Sequence, residues 1–103
     1  MTDREVITDY RNIVHEIHGL KERLAWNQRH GLPVLNILEK IGQLMNALIR
    51  FEDLLDGIPD RRARNVISCR YALGLNVRET SDIIGVSCLT VERICGKTLT
   101  MLE

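Results

Sequence analysis

Apolar residues recur every three to four positions through two long stretches that meet at Gly31-Leu32-Pro33. This helical period limits the fold more than any other feature of the chain. In the first stretch Ile7, Tyr10, Val14 and Ile17 follow one another at alternating spacings of three and four, Leu24 stands a further seven on, Ile13 and Leu20 widen the stripe, and charged residues fill the gaps. The spacing predicts one amphipathic helix over residues 2–29. Gly31 supplies a C-terminal stop and Pro33 a first-turn start for the next helix. In the second stretch Val34, Leu38, Ile41, Met45, Leu48 and Leu55 form one seam, and Ile37, Leu44 and Phe51 a second. Helices of this length reach roughly 35–40 Å, and so short a link makes them antiparallel neighbours. Two seams need two sets of neighbours. The second helix is therefore expected to pack on the C-terminal part of the chain, on a second copy of itself, or on both.

Asp56-Gly57-Ile58-Pro59 marks the next break. Beyond it Val66, Ile67, Cys69, Tyr71 and Leu73 predict a third helix that ends near Gly74 and carries Arg61, Arg62 and Arg64 in its first turns. Asn76 and Glu79 have capping-box spacing and open a short fourth helix with Ile83 and Ile84 at its apolar end. Gly85 closes that helix, and Ser87 caps a fifth whose inward face is Val91, Ile94, Cys95, Leu99 and Leu102. A short helix, a Gly85-Val86-Ser87 turn and a capped second helix have the pattern of a helix-turn-helix, in which glycine permits the sharp turn and Val86 plugs the angle.

Composition narrows the function. Branched aliphatics fill 32 of 103 positions, which suits a folded chain. The 14 basic and 14 acidic side chains cancel, so no global field attracts a polyanion and any such partner is held by a local patch. Residues 1–58 carry 7 basic and 9 acidic groups and residues 59–103 carry 7 and 5, so the C-terminal part tilts basic. Uncharged runs such as Ile41 to Ile49 reach 9 residues, half of a membrane span, and Asp3, Arg4 and Glu5 do not suit a signal peptide. No membrane partner and a cytoplasmic location are expected. Cys69, Cys88 and Cys95 are an odd number without paired spacing, as in a reducing compartment, and read as small buried or half-buried side chains.

His15 and His18 stand three apart, a spacing that can chelate a metal, but no third ligand accompanies them. The histidines lie in the N-terminal half and the serines are Ser68, Ser81 and Ser87, so no nucleophile and base suggest a triad. Without a Gly-rich phosphate loop either, the chain reads as neither an enzyme nor a cofactor protein.

From Ile58-Pro59 through Arg70-Tyr71, Gly74-Leu75, Ile83-Ile84-Gly85-Val86-Ser87, Thr90-Val91 and Glu92-Arg93-Ile94 to Lys97-Thr98-Leu99, the chain resembles region 4 of the sigma-70 family of RNA polymerase initiation factors. The resemblance covers roughly residues 58–102 and leaves out the N-terminal helices. With a helical hairpin in front, the arrangement is similar to small phage and prophage transcription regulators. It implies an all-α protein in which residues 1–57 form an antiparallel hairpin for self-association and residues 58–103 a helix-turn-helix domain for double-stranded DNA.

By position in that family, the helix over residues 87–102 enters the major groove, with Cys88, Leu89, Glu92 and Arg93 facing bases and Ser87, Thr90 and Lys97 flanking them. Arg61, Arg62, Arg64 and Arg78 stand where the family grips phosphates, and each also reads as a solvated charge. Promoter-reading members usually place Arg or another polar residue where Cys88, Leu89 and Glu92 stand here, which leaves Arg93 as the one bidentate guanine reader. Leu89 has three candidate contacts: a thymine methyl, a protein partner and the adjoining helix. Gly96 weakens its helix by roughly 1 kcal/mol relative to Ala. The other reading of the same fold is an interaction protein that binds RNA polymerase or another regulator and has little affinity for DNA.

Overall fold

The computed structural model describes residues 1–102; Glu103, the last residue of the expected 58–103 module, lies outside them. The described residues are all-helical: α1 (Asp3–Thr8), α2 (Tyr10–Arg29), α3 (Leu35–Asp56), α4 (Arg61–Ile67), α5 (Val77–Ile84) and α6 (Cys88–Met101). The molecule is elongated, 54 Å by 25 Å by 16 Å.

The single helix expected over residues 2–29 is two. Thr2 caps α1 through a reciprocal pair of bonds, the Glu5 N–H to the Thr2 hydroxyl at 3.2 Å and the Thr2 N–H to the Glu5 carboxylate at 3.1 Å. At the other end of α1 the Thr8 hydroxyl donates to the Arg4 carbonyl at 3.1 Å. Asp9 leaves the helical region at φ −99° and ψ 4°, and its carbonyl accepts the Ile13 N–H at 2.9 Å to start α2 afresh. Val6 and Ile7 of α1 enter the C-terminal core.

Gly31 ends the α2 region at φ +65°. Pro33 is not the first-turn residue the sequence suggests. It precedes the cap residue Val34, and its carbonyl accepts the Asn27 amide at 2.9 Å, which fixes the link. Trp26 stacks on His30 at 3.9 Å at this end of the molecule and is half exposed.

Beyond Pro59, Asp60 caps α4 by accepting the Arg62 N–H at 2.9 Å. α4 runs on into a π-helical turn at Ser68–Ala72, closed by the Leu73 N–H on the Ser68 carbonyl at 3.0 Å. Gly74 stops it at φ +70°, as the sequence suggests.

The main core joins Val6 and Ile7 of α1, Phe51 of α3, Val66 and Ile67 of α4, and Val91, Cys95 and Leu99 of α6. Tyr10 stacks on Phe51 at 4.1 Å along its edge. A second, smaller cluster of Ile13, Ile17 and Leu44 holds α2 to α3. The two seams read on α3 do not survive as drawn. Ile41, Leu44 and Phe51 are buried, whereas Leu38 and Met45 of the first seam are exposed together with Leu35 and Ile49, which belong to neither seam. The facing helix is only one cylinder wide, so it covers one arc of α3.

Candidate nucleic-acid interface

α5 and α6 are set by three local devices. Asn76 and Glu79 form the reciprocal box read from the sequence, with the Glu79 N–H on the Asn76 side chain at 2.8 Å and the Asn76 N–H on the Glu79 carboxylate at 3.0 Å. Gly85 takes φ +80° while its N–H and that of Val86 both reach the Ser81 carbonyl, at 2.9 Å and 3.3 Å. The Ser81 hydroxyl donates to the Val86 carbonyl and ties α5 to the turn. Ser87 then caps α6 by accepting the Thr90 N–H at 3.1 Å, and the Ser87 and Thr90 hydroxyls are bonded at 2.9 Å. Val91 and Thr80 are fully buried where the two helices meet the core, and the Thr80 hydroxyl makes no hydrogen bond.

With Val91, Cys95 and Leu99 facing in, the outer arc of α6 carries Cys88, Leu89, Glu92, Arg93, Gly96 and Lys97, all exposed. Leu89 keeps 65 % of its surface, so the adjoining helix does not cover it. Ser87 and Thr90 are engaged in the cap, and Thr90 is half-buried. Arg61 and Arg62 are exposed at the start of α4, Arg64 is half-buried, and Arg78 is exposed in the first turn of α5. Cys69 and Cys95 are buried as the sequence suggests, whereas Cys88, expected to be at least half-buried, is exposed on the outer arc of α6.

The arc has two unlike edges. Along one, Arg93, Lys97 and Met101 border a groove of about 560 Å³ whose opposite wall carries Asp53 and Asp60 and whose floor includes Leu54, Ile58, Ala63 and Ile94. Along the other lie Leu89, Glu92 and Gly96. The groove was not legible in the sequence, because it depends on Asp53 near the end of α3 lying across from Arg93 of α6, 40 residues on in the chain.

Arg70 is a second residue that sequence spacing does not single out for its role. Its guanidinium donates to the Leu75 carbonyl at 2.7 Å and lies 5.8 Å from the Tyr71 ring, so it clamps the loop that enters α5. Burial pushes the Cys95 thiol above its ordinary value, with the nearby Arg70 charge acting against it, and burial likewise raises the Tyr71 phenol. Both groups are neutral at pH 7 and serve as packing. From α2, the Arg11 guanidinium rests on Gly74, at the same loop.

His15 and His18 line a shallow cleft of about 510 Å³ with Arg11, Asn12 and Ala72. No group of three or more His, Cys, Asp or Glu suited to a metal ion occurs among the described residues. None of the described helices is long and apolar enough to cross a membrane. The chain matches no family model, no curated protein and no solved structure.

Proposed function

We propose that the chain is a DNA-binding transcription regulator, in which α5, the Gly85 turn and α6 act as a helix-turn-helix on double-stranded DNA. The observation that carries this reading is the outer arc of α6. It follows a left-handed glycine turn and a side-chain cap, is exposed, and presents Arg93 and Lys97 together with Leu89. An α-helix, about 10–12 Å across with its side chains, fits the width of the major groove. Arg61, Arg62 and Arg78, exposed at the starts of α4 and α5, supply phosphate contacts that orient it.

Selection of bound fragments from random DNA tests the reading, followed by titration of the selected site at several salt concentrations. Arg93→Ala weakens binding to that site by about 1–3 kcal/mol and relaxes preference at one base pair. Arg61→Ala with Arg62→Ala weakens all sequences alike and flattens the salt slope by up to about two units. No salt-sensitive binding below tens of micromolar removes the DNA reading.

A second reading has its own observation. The groove beside α6 joins an apolar floor to a basic edge and an acidic wall, which are features of a protein-binding surface. On that reading the chain binds RNA polymerase or another regulator, and co-purification with polymerase in the absence of DNA affinity identifies it.

A further inference from the structure

α3 carries apolar side chains around more than half of its circumference, and α1 and α2 cover only part of that arc. Leu35, Leu38, Met45 and Ile49 remain 66 %, 47 %, 46 % and 58 % exposed. With Gly42 they occupy positions 35, 38, 42, 45 and 49, the alternating steps of three and four that make a helix–helix seam. The row is about 21 Å long. At its middle Gly42 opens a notch, with nothing within 4 Å of where a Cβ would stand.

We propose that a second copy of this chain covers the row from Leu38 to Ile49, α3 against α3 in antiparallel order, about a twofold axis between Gly42 and Met45, with Leu35 left at the rim. Leu38 of each copy then meets the partner's Ile49, and Met45 fills the notch at the partner's Gly42. Between Leu38 and Ile49 the row is complementary to itself in this order, because the axis exchanges its largest gap with its most adaptable side chain. A parallel pair would set gap on gap and methionine on methionine.

Charge agrees with the register. Glu39 and Arg50 lie on the same flank of the row, and antiparallel helices bring like flanks together. Each Glu39 thereby comes within side-chain reach of the partner's Arg50, twice per dimer. Arg50 has a donor group free for it, since Nε and Nη2 hold the Asp3 carboxylate of its own chain at 3.1 Å and 2.9 Å and Nη1 remains. This reciprocity singles out a second copy over an unrelated apolar helix, and it stands apart from the reading of α6.

Sedimentation equilibrium of the full chain tests the proposal, with an expected mass that climbs from 11.8 kDa toward twice that value between micromolar and sub-millimolar concentration. Ile49→Glu, at an exposed position, stays monomeric with the circular dichroism and melting of the wild-type monomer. Glu39→Arg and Arg50→Glu each weaken the dimer about tenfold. Mixing these two variants restores wild-type association, because the mixed pair has opposite charges at both contacts. Should Arg50→Glu lose helix through its Asp3 contact, Gly42→Leu gives the same reading by filling the notch and weakening the dimer about tenfold. A wild-type mass fixed at 11.8 kDa overturns the proposal. So does a dimer indifferent to Ile49→Glu or Gly42→Leu, or a mixture of folded charge variants that associates no better than its components.

Discussion

Gly74 and Gly85 both adopt left-handed backbone, at φ +70° and +80°, yet their surroundings differ. Around Gly85 the space for a Cβ is open, so Gly85→Ala meets only the backbone penalty of about 1–2 kcal/mol. At Gly74 an added methyl also displaces the Arg11 guanidinium, the far end of a flexible side chain, which adds a smaller cost. Gly74→Ala is therefore the more destabilising of the two in urea denaturation, and the difference between them closes in an Arg11→Ala background. Thr80 sets the opposite case. Its hydroxyl is buried without a hydrogen bond, so Thr80→Val, which keeps the branched shape, raises the melting temperature and adds about 1 kcal/mol. A lower melting temperature in this variant would show that the hydroxyl is satisfied.

At the scale of the element, α1 depends on two carboxylates. The hydrogen bond from Arg50 holds Asp3 below the usual carboxylate range, and the Thr2 N–H and then its hydroxyl do the same for Glu5. A carboxylate lowered by folding adds stability above its unfolded value, and that stability is lost as pH falls through the folded value. Thermal stability should thus decline on acidification below about pH 4, and Asp3→Asn should flatten that decline when melting is followed by circular dichroism. The same element shows what a sequence can disclose. The caps at Asn76, Gly85 and Ser87 were legible because each is a bond between residues three or four apart, fixed by side-chain type. The interruption at Asp9 was not, because apolar periodicity continues across it. Which arc of α3 is covered, and that Arg93 borders a groove with Asp53 and Asp60, depend on packing between segments far apart in the chain. The residues of the α6 arc were readable as a face, whereas their neighbours were not.

On the scale of the whole molecule, the main core draws Val6, Ile7 and Phe51 from one side of the Gly57–Pro59 link and Val66, Ile67, Val91, Cys95 and Leu99 from the other. A chain beginning at residue 58 leaves those five without their cover, and residues 58–103 alone should show no cooperative melt by calorimetry, whereas the full chain should. Cooperative melting of the fragment would mean that α4 to α6 bury enough apolar surface among themselves. The opposite end of the rod has no comparable core, and the chain's sole tryptophan, Trp26, stands there against His30. Its emission accordingly reports the solvent around the α2–α3 link, while Tyr10 and Tyr71 both pack against the main core. Two optical signals thus divide the molecule lengthwise: indole fluorescence follows fraying at the tip, and tyrosine absorbance follows the loss of the core.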